Sequence, residues 1–218
     1  MKRCLIVFAK EPIKGKVKTR LSPYLAESQC TELYKVFLKD IISMAKRIRC
    51  EERILAYECD TEEPVYLKKI ARGFLFYRQK GKNLGQKMHN AFKFAKDNKA
   101  SKTVIIGSDF PNLPISFIEE AFCQLGTNDI VVGPSSDGGF YLIGLKNPNS
   151  GLFKGIQWST NRVLKDTLKN AMGLKKKVAR LNKWYDVDEP ETLIRLIRDL
   201  KREKNSTIAK WTRKFLNI

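Results

Sequence analysis

The sequence predicts an α/β protein of three layers, with a mainly parallel central sheet between two layers of helices. Three observations carry that prediction. Short, continuous apolar runs rich in β-branched residues recur at 4–9, 53–57, 74–77, 103–106 and 130–132. Stretches with helical periodicity lie between them. Runs that are apolar on both faces suit strands covered from both sides, as in a parallel sheet. Finally, 218 residues at 43% hydrophobic content supply a core for one domain and exclude wholesale disorder.

Each element has its own reason. The run 4–9 is a first strand. The preceding Met1-Lys2-Arg3 superficially resembles a secretory leader, but Lys10 and Glu11 interrupt the apolar stretch and no small-residue cleavage site follows. Leu33, Phe37, Ile41, Met44 and Ile48 fall on one face of a helix beginning near Ala26. Met88, Ala91, Phe92 and Ala95 do the same in a helix beginning near Leu84. Ile115, Ile118, Phe122 and Leu125 mark a third, with Pro114 suited to its first turn. After Gly133 the pattern changes, with a turn at 134–138 and a less clearly alternating stretch at 139–145. Ser159 or Thr160 offers an N-cap for a helix carrying Val163, Leu164, Thr167 and Leu168. A basic strand is expected over 174–181. A last helix carries Leu193, Ile194, Leu196, Ile197 and Leu200, with Asp188 ahead of it, Pro190 in its first turn and Glu191 at capping-box spacing. Residues 1–204 read as a single domain, and 205–218 as either a frayed tail or a docked terminal helix.

The formal net charge of +19 calls for an anionic partner. Nucleic acid would require a reading motif, and no helix-turn-helix, zinc-finger or RNA-recognition signature is present, so it is the least favoured class. No apolar run reaches the roughly 20 residues that span a bilayer. A nucleotide needs only a local cluster of cations. The five cysteines are odd in number, scattered and without a CxxC pair, as expected of reduced thiols in a cytoplasmic protein. The only histidine, His89, falls inside a predicted helix, which argues against Ser-His or Cys-His catalysis.

Four segments stand where strands end, the place at which open α/β sheets bind ligands. The first runs from Ala9 and Lys10 through Lys14-Gly15-Lys16-Val17-Lys18-Thr19-Arg20-Leu21. Like charges so crowded repel unless an anion or water screens them, so cations and backbone amides here suit a polyphosphate. The second is Gln79-Lys80-Gly81-Lys82-Asn83-Leu84-Gly85, where the glycines allow close backbone approach and Gln79 and Asn83 offer amide edges suited to a nucleobase. It also fits an ordinary turn before a helix. The third places Ser108 and Asp109 just past an apolar strand, with Pro111 and Pro114 stiffening the exit; Asp109 either caps the turn or binds a divalent cation. The fourth, Asp137-Gly138-Gly139, is a tight turn framed by Pro134 and by Phe140-Tyr141. In the extended stretch Asp186-Val187-Asp188, both aspartates could face one cation, since residues two apart point to the same side.

In this order the segments resemble the nucleotide-diphospho-sugar transferase superfamily of GT-A fold. They look most like an uncharacterised bacterial family described as glycosyltransferase-like and often encoded near radical-SAM proteins. The resemblance rests on residues 8–10 and 18–21, Leu84-Gly85 with Met88, Gly107-Ser108-Asp109 with Pro111 and Leu113-Pro114, Gly133-Pro134 with Asp137-Gly138-Gly139, Phe153 with Trp158-Ser159-Thr160, and Asp186-Val187-Asp188. It implies a nucleoside-phosphate site with Mg²⁺ or Mn²⁺, in which Asp109 and Asp188 (less so Asp186) hold the metal. Lys18 and Arg20 match the basic pair that grips the phosphates, and Asp137 is the acceptor-side candidate. Gly107 stands where a strict Asp-x-Asp would carry its first aspartate. Two expected activities follow. One is glycosyl transfer from a nucleotide-sugar to a small-molecule acceptor. The alternative is guanylyltransferase-like coupling of a nucleoside triphosphate to a small phosphorylated metabolite, suggested by Lys18-Thr19-Arg20-Leu21.

Overall fold

In the computed structural model, which describes residues 2–218, the predicted alternation forms one seven-stranded sheet. The strands are β1 (Arg3–Lys10), β2 (Glu52–Glu58), β3 (Leu75–Arg78), β4 (Lys102–Ile106), β5 (Ile130–Pro134), β6 (Phe140–Leu145) and β7 (Val178–Arg180). Their spatial order is β3-β2-β1-β4-β6-β5-β7. β6 runs antiparallel to both neighbours, and the other strands share one direction. The chain runs outward from β1 through β2 to β3, then crosses back to β4 on the other side of β1. That reversal opens a crevice at the carboxyl ends of β1 and β4.

Two helical layers cover the sheet, formed by α1 (Glu27–Arg47), α2 (Val65–Ile70), α3 (Leu84–Asp97), α4 (Ile115–Gln124) and α5 (Val163–Gly173). Strand periodicity assigns the faces. Leu5, Val7 and Ala9 pack with Leu38, Ile41 and Ala45 of α1 and Ile118 and Phe122 of α4, whereas Cys4 and Ile6 pack with Met88, Ala91 and Phe92 of α3.

The predicted single stripe on α1 divides between two neighbours. Ile41 and Ile48 face the sheet, while Leu33 and Phe37 face a further cluster with Leu196 and Leu200 of α6 (Pro190–Arg202). α1 is therefore buried on two sides. The C-terminal segment contains a docked helix, α7 (Lys210–Leu216), whose first amides are received by the buried carboxylate of Asp40 on α1, at 3.0 Å from Trp211 and 2.9 Å from Thr212.

Several local expectations shift. The helix near Ser159 begins only at Val163, because Ser159 sits in the left-handed region at φ 63° and the Thr160 carbonyl receives the Val163 amide. The cap of α6 is Glu189 with Thr192, one residue later than Asp188 with Glu191. Asp188 is thereby free to face the crevice. The basic strand is three residues long, and α2 was not signalled by the sequence pattern.

Candidate active site

The crevice is a hollow of about 630 Å³ at the carboxyl ends of β1, β2, β3 and β4. Ala9, Lys10, Lys18, Arg20, Gln79, Ser108, Asp109, Asp137 and Asp188 all line it. Gly15, Asn83 and Gly85 do not. Gly15 forms an exposed turn at φ +74°. Asn83 caps α3 by accepting the Gln86 amide at 3.0 Å. Gly85 is buried against Phe153 and Trp158, where any side chain would collide. Its role is close packing.

Lys18 organises the hollow. Its backbone is left-handed (φ 52°, ψ 36°), a costly conformation for a residue with a Cβ. The strain directs the side chain inward, where it is 1% exposed. There the ammonium bonds the Asp109 carboxylate, the Val187 carbonyl at 2.7 Å and the Asp188 carboxylate at 3.4 Å. The rings of Phe37 and Tyr34 lie 5.4 and 5.9 Å away, adding cation–π attraction. An ammonium has three donors, and all three are engaged. In this arrangement Lys18 holds the two acids together, in place of the phosphate grip expected from the sequence. Arg20, 60% exposed, reaches Asp188 at 3.6 Å and Glu189 at 3.3 Å and, with Lys10 and Lys16, is open to a ligand.

The acids arrive from three separate elements. Asp109 follows β4, and its carbonyl receives the Val187 amide at 3.0 Å, pinning the two acid-bearing segments to each other. Asp137 sits in the turn between β5 and β6 and accepts the Gly139 amide at 2.9 Å. Gly138 is required there, since φ is +89° and a Cβ would meet the Asn161 carbonyl. Asp186 accepts from Ser135 at 3.4 Å. Its carboxyl is held above the usual range, by burial first and then by Asp137, Asp188 and Asp109.

Asp109, Asp137, Asp186 and Asp188 line one hollow, and an all-oxygen donor set of this kind fits a divalent cation such as Mg²⁺. Two carboxylates that reach one ammonium also lie within reach of one metal ion, and Mg²⁺ needs no more than one or two. Among the described residues no three His, Cys, Asp or Glu side chains converge in metal-ligating geometry; Asp109 and Asp188 are the two carboxylates that meet at the Lys18 ammonium.

Sequence reasoning passed over Tyr34, Glu58 and Lys87, which also line the hollow. Tyr34 is fully buried, and its hydroxyl joins Ser108 at 2.8 Å and the Lys10 amide at 3.0 Å, tying the end of β1 to that of β4. It stands beside Leu33, outside the stripe read from the helix's spacing, and nothing local set its hydroxyl apart. Glu58 and Lys87 form an ion pair at 2.7 Å, and a charge closing an apolar strand was the available signal for Glu58.

Similarity to known proteins agrees with this geometry. A protein of Desulfovibrio desulfuricans G20, provisionally described as a nucleotide-diphospho-sugar transferase, superposes with a TM-score of 0.92 and 30% identity, over 100% of this chain and 95% of that one. A 2-phospho-L-lactate guanylyltransferase of Methanobrevibacter smithii is 28% identical over 129 residues, 59% of this chain. The chain spans about half the length of the curated relatives it matches, 56% in that case. A Mycobacterium tuberculosis H37Rv protein solved in complex with manganese shares the fold at a TM-score of 0.55 and 13% identity, over 91% of this chain and 99% of that one. The fold is thus the GT-A-like fold of the nucleotide-diphospho-sugar transferase superfamily. Residues 41–160, more than half of the chain, match a family described as "Uncharacterized protein conserved in bacteria (DUF2064)", and the chain belongs to that family.

Proposed function

We propose that the chain is a metal-dependent nucleotidyltransferase, coupling a nucleoside triphosphate to a small phosphorylated acceptor with release of pyrophosphate. The observation that carries this reading is the convergence of Lys10, Arg20, Asp109 and Asp188, distant in sequence, on one hollow at the sheet's reversal point. The name of the guanylyltransferase relative supports the same chemistry.

The acceptor's phosphate oxygen forms a bond to the α-phosphorus as the bond from that phosphorus to its bridging oxygen breaks, and pyrophosphate leaves. An acceptor phosphate is already an anion, so no general base is needed. Asp137, at the rim, then serves to orient the acceptor. Arg20 binds the leaving phosphates, and Lys18 holds Asp109 and Asp188 in register. A divalent cation between those acids would supply charge stabilisation at the phosphate oxygens.

A second reading, glycosyl transfer from a nucleotide-sugar, is favoured by the full-length likeness to the D. desulfuricans protein. The same assay separates the two. Each nucleoside triphosphate is incubated with Mg²⁺ and a panel of phosphorylated small acids, and nucleotide-sugars are tested in parallel. Pyrophosphate release with triphosphates supports nucleotidyl transfer; nucleoside diphosphate release from nucleotide-sugars, without pyrophosphate, overturns it in favour of the second reading.

A further inference from the structure

The hollow has a second polar end. Glu58 closes β2, Gln79 follows β3, and Lys87 projects from the first turns of α3, all lining the cavity beside Phe8 and Leu84. β2 stands two strands from β4, about 10 Å at normal strand spacing, so this end lies roughly a nucleoside's length from Asp109.

The hydrogen-bonding capacity here is specific. Lys87 Nζ donates to Glu58 Oε1 at 2.7 Å, and among the described residues no donor engages Oε2. The Gln79 amide nitrogen donates to the Ala56 carbonyl at 2.9 Å, so its oxygen remains an acceptor. The Glu58 carboxyl is held below the usual range by the hydrogen bond from Lys87, and it is therefore ionised and purely accepting. The pair is 41% and 20% exposed, and an ion pair so open to water contributes little to stability.

A carboxylate beside an ammonium presents acceptor sites next to a donor. Guanine offers the complement: O6 accepts, while N1–H and the N2 amino group, side by side, donate. Adenine, cytosine and uracil each place an acceptor beside their donor on that edge, and against Glu58 that acceptor would face a carboxylate. Leu84, 42% exposed at the mouth, and Phe8 offer apolar surface to the base plane.

We propose that Glu58, with Lys87 beside it, selects a guanine base. The inference rests on the nucleotide-transfer reading and names its donor. Titration calorimetry with GTP, ITP, ATP, CTP and UTP in Mg²⁺ tests it on the whole chain and on Glu58→Gln, with unliganded melting curves verifying that the variant folds. ITP matters because inosine lacks the N2 amino group. The wild type is expected to bind GTP most tightly and to prefer it over ITP by roughly tenfold or more, and the variant is expected to lose that GTP-to-ITP preference. A wild type that favours another base, or an unchanged GTP-to-ITP ratio in the variant, overturns the guanine assignment while leaving nucleotide transfer intact. Failure of all five triphosphates to bind overturns both.

Discussion

The loop after β1 and the segment before α6 meet at Lys18, yet they are built in opposite ways. The loop, Lys10 to Leu21, keeps most of its charges in water: Lys10, Lys14, Lys16 and Arg20 are exposed, and only Lys18 turns inward. The Tyr185–Asp188 segment is stitched into the core. Tyr185 and Val187 are buried, with Asp186 and Asp188 alternating toward the hollow. The cationic side can therefore adjust to a ligand, whereas the anionic side is fixed before any ligand arrives. Preorganisation belongs where charge must be held without reorganisation.

The most severe disruption of the fixed side is Asp109→Ala. Turnover should fall at least ~10²-fold, equivalent to about 2.7–4 kcal/mol of barrier. The buried Lys18 ammonium also loses its nearest carboxylate, so the melting temperature should fall too, and turnover is compared at a temperature where both proteins are folded. Near-normal turnover in a steady-state assay would remove Asp109 from the chemistry.

Lys18→Met probes the joint between the two regions. It leaves Asp109 and Asp188 facing one another without their ammonium, and unfolding in urea should show a loss of about 1–3 kcal/mol. Mn²⁺ should stabilise this variant more than the wild type, since a metal then replaces the missing charge. Equal Mn²⁺ stabilisation of both proteins, read as melting shifts, would show that Lys18 does not hold the acid pair.

Away from the hollow, Asp40→Asn tests whether a buried acid can dock an element without serving chemistry. A loss of about 1–2 kcal/mol is expected, with faster amide exchange confined to α7 and its neighbours. Burial holds the Asp40 carboxyl above the ordinary 3.8, outweighing its hydrogen bonds to Thr212 and Trp211. Its contribution is therefore fully present below pH 3.8 and declines as the pH rises through the higher folded value. The wild type's advantage over Asp40→Asn should shrink in that direction in urea titrations, and growth of the advantage with pH would refute the sign.

Tyr185→Phe gives the smallest effect. The hydroxyl accepts from Asn112 at 2.9 Å and donates to Asp199 at 2.7 Å, linking the exit after Asp109 to α6. Its removal should cost about 0.5–1.5 kcal/mol of stability and only a few-fold in turnover. A loss of turnover matching that of Asp109→Ala would show that the anionic side is less rigid than its burial implies.

The strands β1, β2, β4 and β5 were legible because continuous apolar runs arise from burial on both faces, a property local to each segment. The first helix was legible from its spacing, although its division between the sheet and α6 was not, because periodicity records that a face is buried and not what buries it. Asp109, Asp137 and Asp188 stood out as acids at strand ends or turns. Glu58 and Lys87 did not, since neither a strand's last charge nor a helical lysine is distinctive until the two meet.

By itself the sequence determined the α/β class, the order of the strands along the chain and the basic loop after the first one, because these follow from local periodicity and charge. The tertiary structure alone decided that Lys18 points inward onto Asp109 and Asp188 and that Gly85 packs beneath Trp158. It also turned Glu58 toward Lys87. Those pairings join residues far apart in the chain, and their energies depend on burial and distance, which exist only once the sheet has brought the strand ends together.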